Sequence, residues 1–336
     1  MTSTITLQSD VALGVVPTHV KFVGGLLPDD DGKLPRDEDG KLIVTAEMER
    51  LCAESPVQIG AVQISTFPGV DEADTDEMMS ALRDLGLEIH IIMMVGGADP
   101  LNPADQDKVV EILSAGIATA KKYNIAHVSS TSFEEWMSGA PAKEGADYDA
   151  AVEQLAATHA RVYNECDIAG SCIKHWHLEF LRGIEFSTFT TIPKAWKVIE
   201  RANQLTGSKC FQLMIDAAHC GDSGLTIPQN EDAIASLAAA GEMGFFHASA
   251  KTTRGCLSTD DGWIGALLTS AAKTGQLTHV FVELFHHDDD ALEGLRENIE
   301  GHGVDTTDGR SYSEVVIDGL ADVAHRLNNL KARGIL

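Results

Sequence analysis

Short apolar runs alternate with longer amphipathic stretches along the chain, and the alternation recurs eight times. The candidate strands are HVKFVGG from His19, VQIGAVQI from Val57, LEIHIIMMV from Leu87, IAHVSS from Ile125, IKHWHLEF from Ile173, FQLMID from Phe211, MGFFHASA from Met243 and HVFVELF from His279. Each is rich in β-branched or aromatic residues and too short for a stable helix. The intervening stretches carry helix signals. Asn102-Pro103 opens a segment to Tyr123 whose apolar face is Val109, Ile112, Leu113 and Ile117. Leu82 and Leu85 close another at Gly86, a natural left-handed cap. Trp196, Val198, Ile199 and Leu205 line a third, stopped by Gly207. The last, Tyr312 to Lys331, places Val316, Leu320, Val323, Leu327 and Leu330 at helical spacing.

Strands alternating with helices imply a parallel sheet, and eight such units predict an α/β fold that closes into a (β/α)8 TIM barrel. An open doubly wound sheet is the competing architecture, but no strand is followed by GxGxxG or GxxxxGK[ST]. The 336 residues suit one such barrel, so a single domain over 1–336 is expected. Long βα loops are predicted after strands one, four and eight: the acidic Pro28–Lys41, Ser132–Asp149 and His286–Arg310. These lie on the side where barrels build active sites and lids. No internal repeat is read beyond the eightfold pattern.

Charge narrows the partners. Acidic residues number 51 against 25 basic, a net charge of −26, which argues against nucleic acid and an anionic membrane surface. Hydrophobic residues make up 44% of the chain, enough for a core. Six cysteines without a CxxC pair make no disulfide framework. No signal peptide is read at the start, and no apolar run approaches the roughly 18 residues of a membrane span. A cytoplasmic location is expected.

The ionisable residues fall in a pattern. Strands five to eight end in Glu179, Asp216, His247 and Glu283. Carboxylates and imidazoles are costly to bury there unless paired or bound to metal. Three carboxylates and one histidine on one arc of the mouth suit a moderately hard divalent ion, Mn2+ ahead of Mg2+ or Co2+, rather than structural zinc. Glu185, His219 and Arg254 flank them, in LEFLRGIE, IDAAHCGD and HASAKTTRG, and supply the polar groups a polyhydroxylated substrate needs.

These motifs, with VFVELF, resemble the xylose-isomerase-like sugar isomerase/epimerase superfamily, and within it the ketose (tagatose/psicose) 3-epimerases. The resemblance is carried by the strand-five-to-eight half. It implies that Glu179, Asp216, His247 and Glu283 bind one divalent metal and that Glu179 and Glu283 also serve as the catalytic acid/base pair. It implies too that Glu185, His219 and Arg254 hold substrate oxygens. The expected function is epimerisation or isomerisation of a keto sugar through a metal-stabilised enediolate, in a homodimer or homotetramer. The alternative is a metal-dependent lyase or dehydratase of a 3-keto glycoside or inosose. This is the chemistry of the related inosose dehydratases and of the metal subunits of C-glycoside deglycosidases, the latter implying a small partner subunit.

Removing a proton beside a carbonyl needs charge stabilisation on oxygen and a base on each face of the resulting plane, and strands three apart can supply such a pair. Weaker candidates follow. Trp136 is placed as a cap over the substrate or an ordinary loop anchor, and His127 and Ser129 face the mouth from strand four, His127 as a substrate contact or an extra acid or base. His175 and His177 form a polar layer beside Glu179 or a satisfied core. Cys220 lines the pocket without being a nucleophile, and Met93, Met94 and Met214 fill the core. The HHDDD run from His286 reads as a solvated loop.

Overall fold

A computed structural model describes residues 5–17, 26–251, 262–285, 293–298 and 309–336. Eight parallel strands run β1 (Ala12–Val15), β2 (Ala61–Ser65), β3 (Glu88–Met94), β4 (His127–Thr131), β5 (His175–Leu178), β6 (Phe211–Asp216), β7 (Met243–Ala248) and β8 (His279–Val282). They close into a barrel in chain order, β1 beside β8. The fold is therefore the predicted α/β TIM barrel. Helices α1 (Ile43–Glu54), α2 (Glu72–Asp84), α3 (Gln106–Lys122), α4 (Gly145–Glu165) and α5 (Ile192–Thr206) follow the first five strands among the described residues. The short α6 (Ala217–Asp222) precedes α7 (Ile227–Ala239), and α8 (Trp263–Lys273), α9 (Glu293–Asn298) and α10 (Tyr312–Ala332) complete the set.

Contacts divide the chain into two compact units, residues 90–245 and residues 1–89 with 246–336. In the first, β3 pairs with β4 through Ile91 and Val128, β4 with β5 through Val128 and Trp176, and β5 with β6 through Trp176 and Phe211. Its core is Trp176, Phe211, Leu213 and Phe245, with Val198, Ile199 and Ala202 of α5 buried. Thr191 caps α5 by accepting the Lys194 N–H, Pro193 occupies the first turn, and Gly207 ends the helix at φ 64°. Leu205 is 41% exposed and stands off the apolar face assigned to it, because the buried stripe runs through Val198, Ile199 and Ala202 instead.

In the second unit β1 pairs with both β2 and β8. The first strand of the barrel among the described residues is Ala12–Val15, which the sequence pattern did not mark; the predicted run from His19 lies outside the described residues. The ALGV strand is short and contains a glycine, which weakens its sequence signal. Gly14 is required there: a Cβ would stand 2.6 Å from the Phe281 ring and 2.8 Å from the Ala61 carbonyl. A capping box, Ser311 with Glu314, starts α10, whose predicted apolar stripe Val316, Leu320, Val323, Leu327 and Leu330 is buried.

The acidic loop is built, not merely solvated. Asp29 Oδ1 accepts the N–H groups of Asp31 (3.0 Å) and Lys33 (2.8 Å), and the Gly32 N–H donates to the Asp29 carbonyl at 2.9 Å. Asp37 does the same for Asp39 (3.0 Å) and Lys41 (2.8 Å), with the Gly40 N–H on its carbonyl at 3.0 Å. DDDGKL and DEDGKL are thus one turn used twice, a local repeat the eightfold reading passed over. Between the turns Arg36 reaches Asp74 at 2.6 Å and Glu77 at 2.8 Å on α2, and the Leu34 N–H donates to Asp74 at 2.9 Å. The guanidinium and these hydrogen bonds hold the buried Asp74 carboxyl below its usual range against the opposing effect of burial.

The loop after β4 ends at Glu144, since α4 begins at Gly145 rather than beyond Asp149. Met93 and Met214 are core, but Met94, the last residue of β3, is 42% exposed: alternation puts it on the strand face opposite Met93, which packs against Gly116 of α3.

Candidate metal centre

In the unit of residues 90–245, Glu179 follows the last residue of β5, where its N–H donates to the Ser130 carbonyl at 3.0 Å. Asp216 ends β6 and is the N-cap of α6. Its Oδ1 accepts the Ala218 N–H at 2.6 Å and the His219 N–H at 2.9 Å, which fixes the carboxylate. His219 lies beside both, its Nδ1 3.6 Å from Glu179 Oε1 and its Nε2 3.9 Å from Asp216 Oδ2, with the Phe180 ring edge-on at 6.2 Å. All three side chains are buried.

In the other unit, His247 precedes the last residue of β7 and Glu283 follows β8. His247 Nδ1 stands 3.4 Å from Glu283 Oε2, and Phe281 meets the imidazole edge-on at 5.9 Å. Both side chains are buried.

Glu179, Asp216, His247 and Glu283 each offer one ligand atom, and these atoms lie within 4.8 Å of one another. Three buried carboxylates so close repel one another unless a cation stands among them. Oxygen donors with a single imidazole are the set a divalent ion of intermediate hardness takes. The residues present therefore fit the predicted metal.

The remaining candidates divide. Glu185, half-buried in the loop after β5, accepts the Trp136 indole N–H at 3.0 Å on Oε1, and its carbonyl accepts the Met137 N–H at 2.9 Å. The loops after β4 and β5 thus bring Trp136 and Glu185 together, with the indole 41% exposed. His127 opens β4, at the strand end opposite its mouth. There it packs on His90 (5.2 Å), His175 (5.5 Å) and Phe245 (5.3 Å), and its Nδ1 lies 3.3 Å from His177 Nε2. It stands in a histidine layer and not among the groups at the C-terminal ends. Burial, helped by Lys174, holds the His175 imidazole below its ordinary pKa. Cys220 is buried, and burial with the nearby Asp216 charge pushes its thiol up, the reverse of an activated nucleophile. Arg254 and the HHDDD run lie outside the described residues.

Sequence reasoning missed two carboxylates here. Glu134 and Asp222 had no pattern to mark them in an acidic chain. Asp222, at the end of α6, pairs with the buried Arg182 at 2.5 Å and ties the loop after β5 to that helix. Glu134 organises the same loop from the β4 side.

No protein-family model and no curated protein matches the chain. Solved structures do. An L-ribulose 3-epimerase superimposes with a TM-score of 0.72 over 96% of this chain and 97% of its own, at 18% identity. D-allulose 3-epimerase from Methylomonas sp. in complex with D-allulose gives 0.70 over 96% and 99%, at 12% identity. IOLI protein with a bound zinc atom gives 0.62 over 95% and 99%, at 12% identity. At these identities the likeness is one of fold, and the chain has the same (β/α)8 barrel fold as these structures.

Proposed function

We propose that this protein is a divalent-metal-dependent sugar epimerase, a single-domain barrel acting beside the carbonyl of a keto sugar. The observation that carries the reading is the buried Glu179–Asp216–His247–Glu283 cluster in this fold. These four residues would hold the ion, with Mn2+ favoured over Mg2+ by the imidazole and over Co2+ by the three carboxylates. Bound there, the ion would supply positive charge beside the substrate's carbonyl and hydroxyl oxygens as the C–H bond breaks.

The chain's own residues do the rest. One of Glu179 and Glu283 takes the C3 proton as a carboxylate, and the other, protonated, returns a proton to the opposite face, inverting that carbon. Asp216, locked by two backbone N–H groups, holds its ligand geometry without a side-chain rearrangement. His219, between Glu179 and Asp216, and Glu185, fixed by the Trp136 indole, offer hydrogen bonds to sugar hydroxyls. Arg254 is assigned to the same task.

The test is proton NMR in D2O of the Mn2+-loaded protein with a ketohexose panel. Deuterium appearing at C3 with growth of a new epimer is the expected result. Glu179→Gln and Glu283→Gln should each lower turnover by at least about 10²-fold, the scale of a lost general acid or base. Exchange at C1 would indicate aldose–ketose isomerisation instead. No exchange from any free ketose with metal bound would overturn the epimerase reading and direct the search to 3-keto glycosides.

A further inference from the structure

The loops after β4 and β5 are joined by more than the Trp136–Glu185 bond. Glu134, 4% exposed, lies three residues after the end of β4 and directs its carboxylate at the backbone beyond β5. Oε1 accepts the N–H groups of Thr188 (2.8 Å) and Phe189 (2.6 Å), and Oε2 accepts that of Ser187 at 3.1 Å. Around it the Lys143 N–H donates to Thr188 Oγ1 at 3.0 Å, and the Phe133 and Phe189 rings stack at 5.4 Å. Two residues before Ser187 stands Glu185, held by Trp136 and Met137. Met137 makes its bond from a left-handed backbone, φ 53°, which an unbranched non-glycine residue adopts only when its surroundings impose it.

The neighbouring Glu135 is exposed, so burial of Glu134 is specific to its position. A carboxylate is the side chain that fits three converging N–H donors, because it only accepts and has lone pairs for all of them. Glutamine would keep one oxygen but present an NH2 group to a backbone N–H. The charge therefore has a task in the loop backbone, and Glu134 is not one of the four residues of the metal cluster.

We infer that Glu134 is a positioning residue: it clamps the backbone of residues 187–189 and thereby sets Glu185 and the Trp136 indole as one preformed substrate-binding pair. The inference rests on the proposed role of Glu185 in holding a sugar hydroxyl. Glu134 acts through the loop, so losing it should weaken sugar binding while leaving the proton-transfer step and the metal in place.

Two independent readouts separate this inference from the epimerase reading. The first needs neither metal nor substrate. In 15N-labelled protein the Trp136 indole N–H is one of four such signals, identified by its loss in Trp136→Phe. Glu134→Gln is expected to shift or broaden that signal and leave the other three in place. The second is kinetic: Glu134→Gln should raise KM about 10-fold with kcat within about twofold, and Glu134→Asp should recover part of the loss. The Mn2+-induced rise in melting temperature should match the parent's.

An unchanged Trp136 signal in a folded Glu134→Gln protein would overturn the inference, as would a fall in kcat at constant KM. Should Glu134→Gln not fold, the shorter Glu134→Asp carries the same two readouts with a smaller expected shift. A parent inactive on every sugar removes the epimerase reading, and the indole signal then still decides whether Glu134 sets the pair.

Discussion

His159 shows how one buried side chain ties stability to pH. Its Nδ1 lies 2.7 Å from the Leu155 carbonyl, which can only accept, so Nδ1 carries the proton and Nε2 accepts the Ser132 hydroxyl at 2.8 Å. Ser132 in turn meets Ser130 at 2.8 Å, and Ser130 accepts the Trp176 indole N–H at 2.9 Å. Burial moves the His159 pKa down from 6.5 to about 4. Above the unfolded value of about 6.5 both states are neutral and the contribution is complete. As pH falls below it, the unfolded chain binds a proton that the folded chain refuses. Stability is then lost until about pH 4, and the 2.5-unit difference corresponds to about 3 kcal/mol. Urea unfolding of the chelator-treated protein at pH 7, 5.5 and 4.5, against His159→Gln, measures it. The variant should show a shallower fall, and equal slopes would refute the assignment. At this scale the sequence spoke where a residue type was costly at its position. Glu179, Asp216, His247 and Glu283 each closed an apolar run, and the structure buries all four. Glu134 closed no such run, and only the fold shows what its carboxylate meets.

At the scale of elements, legibility followed the length of the pattern. The α10 stripe and the left-handed caps at Gly86 and Gly207 stand where periodicity places them. The four-residue β1 does not, because a strand that short is fixed by its partners, Gly14 against Ala61 and Phe281, rather than by its own composition. The paired turns at 29–33 and 37–41 offer a controlled comparison. Gly32 and Gly40 have nearly the same φ, 79° and 80°, so alanine carries a similar backbone penalty at both, about 1 kcal/mol. The surroundings differ. A Cβ at Gly32 would stand 2.4 Å from the Gly69 carbonyl, where the Gly32 carbonyl also accepts the Asp71 N–H at 2.7 Å, whereas at Gly40 nothing lies within 4 Å. Gly40→Ala should therefore cost about 1 kcal/mol and Gly32→Ala roughly twice that or more, read as shifts in the urea midpoint. Equal costs would mean that the first turn is not docked on the start of α2.

For the whole molecule the decisive quantity is negative charge, both the net −26 and the three carboxylates gathered at the strand ends. Eight alternations made barrel closure readable from the chain, and closure in turn gathers carboxylates that repel one another at short range. Folding without metal must overcome that repulsion, and binding a divalent ion reverses it. An ion at 100 times its Kd adds about 2.7 kcal/mol to the unfolding free energy, a rise of a few degrees in melting temperature for a chain this long. Glu283→Gln separates the two effects. It removes one of the crowded charges and keeps the side chain's shape, so with chelator it should unfold no more easily than the parent, and above it in denaturant if repulsion dominates. With saturating Mn2+ the order should reverse, because the amide is a poor ligand and the variant forfeits most of the gain. Asp216→Ala makes a less clean probe, since the carboxylate also caps α6 and its loss costs stability with or without the ion. Melting curves of parent and Glu283→Gln, each with chelator and with Mn2+, give the four values needed. A parent whose melting temperature ignores Mn2+ would show that the cluster holds no ion, and a variant stabilised as much as the parent would place the ion elsewhere.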